Sequence, residues 1–442
     1  MTWPAVAGFA LVLSALGVLM AALRVWQRTG NPHPEFVRKG LHIGMGLVAC
    51  ALPWLFQSPV PVVVLCLLTL GIMTALRVTP SMRMRMGGVV GGVDRESWGD
   101  IYFPIAIGAT FVAANGSIVL YLAPVLVMTL ADATGALVGI RYGTHRYRAT
   151  EGRKSMEGSL AFFAVATGSV LAVLRVTGTG WAQALLIGTT IGMLVMALEA
   201  VAWRGLDNLF VPMGVFLLLK VYLGLDLAAL AVRLVMATGL FGLVLAMRRQ
   251  TTLNESALLG AAFAAYVFGA VGGWRWLVAP LTLLVSYTTV LSPRTRRNIA
   301  RVHTVHSVMS VASAGMVWLW FAAGTSGDWL YPCTVSFACH LAIIGAARLR
   351  FDHPHMSTVR LLAECTVKSW LTMMIPYRLM IGPEAWIPCL LAAIPIALVV
   401  TTFYHTQPGM HDCPIDVRRW FWQAILAALG SVLAYGMVRF TW

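Results

Sequence analysis

The sequence predicts an all-α polytopic membrane protein, and three observations carry that prediction. Of its 442 residues, 59% are hydrophobic and 11% charged, and the mean hydropathy is +0.79, a balance that water-soluble globular domains do not show. Apolar runs near the roughly twenty residues that cross a bilayer recur from "PAVAGFALVLSALGVLMAAL" to "FWQAILAALGSVLAYGMVRF", giving about sixteen expected transmembrane helices. Between them, loops rich in Lys and Arg alternate with short loops nearly free of both, the pattern of a chain threaded repeatedly through a membrane.

The elements follow in order. The first run has no basic segment ahead of it, is long for a secretory leader, and is followed by Arg24 and Arg28 rather than a small-residue cleavage site, so it is expected to stay as a membrane helix. The loops "RVWQRTGNPHPEFVRKG", "RVTPSMRMRM", "RYGTHRYRATEGRK", "WRGLDN", "MRRQTT", "SPRTRRNIAR", "RLRFDHPHMSTVR" and "HDCPIDVRRW" are basic, whereas "FQSP", "ANGS", "TGTGW" and "GTSGDW" are not. The positive-inside rule then puts the N-terminus outside, the basic loops in the cytoplasm and an even number of spans between the termini, in the inner membrane of a bacterial-type cell. The net charge of +15 is spread over those loops, so nucleic acid is not an expected partner. Seven scattered cysteines without a C-x-x-C pair exclude a disulfide framework or zinc cluster. Trp181, Trp274 and Trp276 stand at span ends as interfacial anchors.

In the first half, the polar residues collect on one side. Arg38, Lys39 and His42, then Glu96 and Asp100, then Asp132, the 141–159 loop, and finally Glu199, Asp207 and Asn208 all fall at the cytoplasmic ends of separate spans. Structural polar residues would scatter over both faces, so one-sidedness points to a single site where soluble phosphate donors are available. An acid such as Asp132 costs about 2.5–3.5 kcal/mol at the centre of a membrane helix and needs a partner or a purpose. Gly135, Gly139 and Gly143 form a small-residue stripe that permits close helix approach. A hard carboxylate near amines suits Mg²⁺ bridging to phosphates. In "GRKSMEG", Arg153 and Lys154 are suited to neutralising phosphate oxygens, and a helix starting near Ser155 offers free N–H groups. The loop is not a P-loop, because the upstream glycine spacing fails and no βαβ unit surrounds it.

The segments "RKGLHIGMG", "ESWGDIYFPIAIG", "DATGALVGIRYG", "GRKSMEGSLAFF" and "EAVAWRGLDNLFVP", in that order over about the first 220 residues, resemble the membrane-embedded CTP-dependent lipid kinases: phytol kinase, dolichol kinase and the yeast-type diacylglycerol kinase, relatives of phosphatidate cytidylyltransferase. The resemblance implies transfer of the γ-phosphoryl group of CTP or UTP, with Mg²⁺, to a long-chain isoprenoid alcohol such as phytol or a polyprenol. Position by position, it implies His42, Asp132, Lys154 and Glu157 as catalytic residues, His42 being the candidate base. It implies nucleotide binding by Arg38, Lys39, Gly139, Gly143, Gly152, Lys154, Ser155, Gly158 and Asn208, and metal binding by Asp132 with Glu157 or Asp207. A cytidylyltransferase would use similar machinery on the α-phosphorus, but its Lys-Asp and His-Gly-Gly signature is not found. A transporter would call for an inverted repeat, and none is clear.

Intramembrane acids thin out after about residue 225, so residues 1–225 are expected to form the kinase-like domain and residues 226–442 a second membrane domain. The second domain weakly resembles the phytyl-phosphate kinase-like membrane family. Where that family carries acids, this chain has "FACHLAIIGAARLRF", so the half is expected to be inactive, structural or regulatory. His303 and His306, His353 and His355, and His405, His411 and Cys413 read as solvated loop side chains rather than metal ligands. Glu364 and Lys368, one helical turn apart, are expected to pair.

Overall fold

A computed structural model of the chain describes residues 3–79, 97–149, 152–247, 253–289, 303–407 and 417–439. Glu96, His411 and Cys413 lie outside the described residues. The chain divides into two compact units, residues 1–237 and 238–442. In the first, α1 (Trp3–Gly30), α2 (Pro34–Cys50), the short α3 (Leu52–Leu55) and α4 (Pro59–Val78) precede α5 (Gly99–Ala114) and α6 (Ile118–Leu126). A π-helical turn, Val127–Ala131, runs from α6 into α7 (Asp132–Tyr142). Then come strands β1 (Arg146–Arg148) and β2 (Arg153–Ser155), α8 (Met156–Val176), α9 (Trp181–Val201), α10 (Asp207–Tyr222) and α11 (Leu227–Met247), which carries the boundary between the units.

The second unit continues with α12 (Glu255–Gly272), α13 (Trp274–Thr289), α14 (Val305–Gly324), α15 (Leu330–Asp352) and α16 (Thr358–Ile381). It ends with α17 (Trp386–Leu391), α18 (Ala393–Thr406) and α19 (Val417–Arg439). Among the described residues, ten helices are long and apolar enough to cross a bilayer, and two more, Pro59–Ala75 and Gly99–Ala114, are apolar but shorter. The chain is a multi-pass membrane protein.

Among the described residues, the two strands form an antiparallel hairpin, which pairs Arg146 with Ser155, Tyr147 with Lys154 and Arg148 with Arg153. The sequence pattern predicts a loop here. Three-residue strands of alternating pattern give too weak a periodicity to register, and Gly152 enters β2 at φ +71°, a conformation glycine adopts without a side-chain penalty. The hairpin delivers the chain into α8, where Ser155 Oγ accepts the Gly158 N–H at 3.1 Å. That bond makes Ser155 the N-cap and satisfies one of the helix's free amides.

Unit 1 is built around the continuous α6–α7 helix. Ala123, Val125, Val127, Ala131 and Ala133 are fully buried along it, which places Asp132 inside the unit rather than on its lipid face. Glycines bring the neighbours close: a Cβ on Gly158 of α8 would stand 2.7 Å from the Gly135 carbonyl of α7. One on Gly46 of α2 would stand 2.0 Å from Thr129 Oγ1. Without a hydrophobic drive inside lipid, such small-residue contacts supply the packing.

In unit 2, α15 is central, and Cys333, Val335, Ala338, Cys339, Ala342 and Ala346 along it are fully buried. Glu364 and Lys368 of α16 are ion-paired as their spacing predicts.

Candidate active site at the basic end of unit 1

The first part of the site is set by α2. Pro34 opens the helix and His33 Nδ1 accepts the Glu35 N–H at 3.3 Å. Val37 and Leu41 pack with Leu23 of α1, while Lys39 and His42 are turned inward and buried. Lys39 Nζ donates to Asp132 Oδ2 at 2.6 Å, and His42 Nε2 lies 3.4 Å from the same oxygen. His42 Nε2 also contacts the Met128 carbonyl at 2.9 Å. A carbonyl only accepts, so Nε2 carries the hydrogen. Met128 belongs to the π turn just before Asp132, a distortion frequent at functional sites. The Phe103 ring meets the His42 ring edge-on, with centroids 5.3 Å apart. Arg38 is exposed and pairs with Glu35 at 2.8 Å, while still within electrostatic reach of Asp132.

The hairpin supplies the second part. Lys154 Nζ donates to Glu199 Oε1 at 2.6 Å and also to the Glu199 carbonyl. Burial works against the Lys154 charge, but the Glu199 carboxylate, with Asp207 behind it, outweighs that and holds the ammonium's pKa above the ordinary lysine value. Tyr147, the register partner of Lys154, is hydrogen-bonded to Ser159 Oγ at 2.7 Å. Burial, reinforced by Glu199, pushes the Tyr147 phenol above its ordinary pKa.

The loop before α10 supplies the third part. Arg204 and Gly205 adopt φ +50° and +82°, and the Trp98 N–H donates to the Arg204 carbonyl at 2.9 Å. A Cβ on Gly205 would lie 2.3 Å from the Gly99 amide nitrogen, so only glycine fits this backbone crossing. Asn208 Nδ2 donates to the Gly99 carbonyl at 3.1 Å, leaving its Oδ1 buried with no hydrogen-bond partner. Asp207, at the start of α10, lies within electrostatic reach of both Lys154 and His42. Asp132 is likewise within reach of Glu199. The Lys39–Asp132 and Lys154–Glu199 pairs are therefore one charged cluster.

Not every residue singled out in the sequence enters it. Gly139 and Gly143 face Ser155, which a Cβ would approach at 3.1 and 2.7 Å, so they position the hairpin against α7. Gly158 does the same from α8. Ser155 is buried and its oxygen is occupied as the cap. Gly152 stands exposed at the turn. Glu157 accepts from Thr144 Oγ1 at 2.6 Å and from the His145 amide at 3.1 Å, bracing the hairpin base rather than meeting Asp132. Sequence alone groups Glu199 with the one-sided polar residues but gives it no role, and does not single out Tyr147. Glu199 carries the same signal as Asp132, an acid at the end of an apolar run, whereas Tyr147 has no signal apart from the hairpin register.

For a divalent metal, the fit is partial. Among the described residues no three His, Cys, Asp or Glu side chains stand close enough to hold an ion together, so Asp132, Glu157 and Asp207 do not form a protein-built cage. Asp132 and Glu199 are each neutralised by a lysine. A metal here would depend on phosphate oxygens for most of its ligands, as Mg²⁺ commonly does.

Against known proteins, the chain is similar to the phytol kinase of Synechocystis sp. (strain ATCC 27184 / PCC 6803 / Kazusa), 28% identical over 206 residues, which is 46% of this chain and 86% of that enzyme. No protein-family profile and no solved structure matches it.

Proposed function

We propose that unit 1 is a lipid kinase that transfers the γ-phosphoryl group of CTP to the hydroxyl of a long-chain isoprenoid alcohol, phytol or a polyprenol, at the cytoplasmic face of the membrane. The observation that carries the reading is that Lys39, Asp132 and His42 meet on α2 and α7, Lys154 and Glu199 meet on the hairpin and α9, and the two groups lie within electrostatic reach of each other and of Asp207 on α10. Likeness to a phytol kinase over about half the chain supports the acceptor class. Phosphoryl transfer asks a protein mainly to position the reactants and neutralise charge, and this cluster is made for that.

In the proposed reaction, Lys39 and Lys154 exchange their carboxylate partners for phosphate oxygens, and the freed Asp132 and Glu199 face the reacting end of the donor. The alcohol oxygen attacks the γ-phosphorus, its bond to the β-bridging oxygen breaks, and CDP leaves. The alcohol proton passes to the freed Asp132. His42, whose Nε2 hydrogen is committed to Met128, orients Asp132 rather than acting as the base. Mg²⁺, when bound, would offset charge on the transferring phosphates, with Asp207 as a protein ligand.

The test is transfer of label by the purified full-length protein in detergent. Label from γ-³²P-CTP should appear on phytol or a polyprenol. Label arriving only from α-³²P-CTP would instead identify a cytidylyltransferase, and no transfer to any isoprenoid alcohol or to diacylglycerol would end the kinase reading.

A further inference from the structure

Where α15 begins and α19 ends, unit 2 has a cavity of about 300 Å³ lined by Asp328, Tyr331, Pro388, Tyr435, Val438 and Arg439. Tyr331 comes from the first turn of α15 and Asp328 from the loop before it, Pro388 comes from α17, and the end of α19 brings the other three. Leu330–Arg350 and Arg418–Arg439 are both long and apolar enough to span a bilayer, so a cavity at these ends opens where hydrocarbon gives way to headgroups. Trp320, near the end of α14, and Trp386, at the start of α17, stand exposed, as aromatic residues of that boundary do.

The walls of the cavity are held from behind. Tyr377 of α16 is buried and donates its hydroxyl to Asp328 Oδ2 at 2.9 Å. The Tyr331 hydroxyl donates to the Pro388 carbonyl at 2.9 Å, and the Tyr331 and Tyr377 rings have centroids 5.8 Å apart. Trp329 stacks on Tyr435 with centroids 5.0 Å apart and on Phe321 at 5.3 Å. The Trp318 indole N–H donates to the buried Ser431 Oγ at 2.9 Å, fastening α14 to α19.

Opposite charges line this one cavity. Asp328 and Arg439 are both exposed, and among the described residues no ion pair joins them: Asp328 answers the Tyr377 hydroxyl, and the Arg439 guanidinium lies 5.2 Å from the centroid of the Tyr435 ring. An ionised carboxylate has room for several hydrogen bonds, so the bond from Tyr377 positions Asp328 without using it up. A guanidinium is suited to phosphate oxygens. The complement of the two together is a zwitterion that carries an ammonium and a phosphate. The Tyr435 ring is already taken up by Trp329 and Arg439, so a quaternary ammonium, which is held by ring faces, has less to bind here than a primary ammonium, which donates hydrogens to Asp328. The volume stands at the lower limit of small-molecule sites, enough for a headgroup and too little for acyl chains. Those have a place beside it: Leu429, Val432 and Leu433 of α19, leading up to Tyr435, are exposed apolar side chains.

We propose that this cavity binds the zwitterionic headgroup of an ethanolamine phospholipid, its ammonium donating to Asp328, its phosphodiester meeting Arg439, and its acyl chains lying along α19. The bound lipid ties the start of α15 to the end of α19. Both contacts are charge-assisted hydrogen bonds, the strong kind, and they read different parts of the headgroup: Asp328 separates an ethanolamine from a choline, whereas Arg439 answers the phosphate that the two share.

The test is native mass spectrometry of the delipidated full-length protein in detergent, titrated with dioleoyl phosphatidylethanolamine and, separately, with the phosphatidylcholine and the phosphatidylglycerol of the same chains. Wild type should take up a single phosphatidylethanolamine about tenfold more tightly than either of the others, the factor expected for one charge-assisted hydrogen bond. Asp328→Asn, which keeps an acceptor for Tyr377, should bring the ethanolamine and choline lipids to equal affinity. Arg439→Gln should weaken the two alike, and Arg360→Gln, at an exposed position of α16, should match wild type. Glycerophosphoethanolamine, the headgroup without tails, should fail to displace the lipid at equal concentration; displacement would overturn the lipid as the occupant. Equal affinities of the wild-type protein for the ethanolamine and choline lipids would overturn the proposal, a comparison that requires no variant to fold. So would a preference that survives Asp328→Asn, or ethanolamine-lipid binding that Arg439→Gln leaves unchanged.

Discussion

Replacing Lys39 and Asp132 singly and together separates what this pair does for the fold from what it does for chemistry. Lys39 is 4% exposed, and its ammonium lies 2.6 Å from Asp132 Oδ2. At an effective dielectric constant near 20, opposite charges at that separation attract by about 6 kcal/mol before desolvation is subtracted. Removing one partner strands a buried charge and costs about 3–5 kcal/mol, whereas exchanging both for apolar residues of similar volume is often neutral or stabilising. Lys39→Met and Asp132→Leu should therefore each lower the thermal midpoint of the protein in detergent, and the double variant should recover most of the loss. Transfer of label from γ-³²P-CTP to phytol should be undetectable in all three. A double variant that regains stability and also phosphorylates the alcohol would refute the catalytic assignment. Single variants as stable as wild type would refute the buried pair.

The second pair should behave differently, because Lys154 also bonds a backbone carbonyl. Lys154→Gln should lower kcat by about 10²–10³, the range expected for losing one charge-stabilising donor, and Lys154→Arg should not rescue it, a planar fork being a poor substitute for a compact ammonium. Tyr147→Phe removes the bond to Ser159 and should cost about 0.5–1.5 kcal/mol of stability, seen as a small fall in thermal midpoint. Gly46→Ala, which changes no charge, should force α2 away from Thr129 and shift His42 and Lys39 with it; activity should fall sharply, and wild-type activity would argue against the close approach. The Lys154 pair also fixes a pH limb. A lysine pKa raised by folding contributes stability that is fully present below the ordinary value of about 10.4 and is lost as pH rises through the raised one. The thermal difference between wild type and Lys154→Gln should thus be flat from pH 6 to 9 and shrink only in strong alkali.

What the sequence determined by itself was the solvent of this chain and the side of unit 1 on which its buried charges collect. Composition, span-length apolar runs and the ration of charges settle that the helices live in a bilayer, because lipid penalises every unpaired polar group and leaves few other backbone solutions. The same penalty made Asp132 legible, since an acid in an apolar run has to be answered by something. The identity of the answer was not legible. Lys39 lies 93 residues from Asp132 and Lys154 lies 45 from Glu199, and no local periodicity encodes which amine meets which acid. Nor could the sequence show that Glu157 turns outward to brace a hairpin, that Ser155 and the glycines serve packing, or that His42 commits a hydrogen to Met128. Those assignments depend on helix rotation and on how closely glycines let two helices approach, quantities that exist only once the segments are packed. The tertiary structure decided them because a membrane interior fixes that polar groups must pair, while the packing alone fixes their partners.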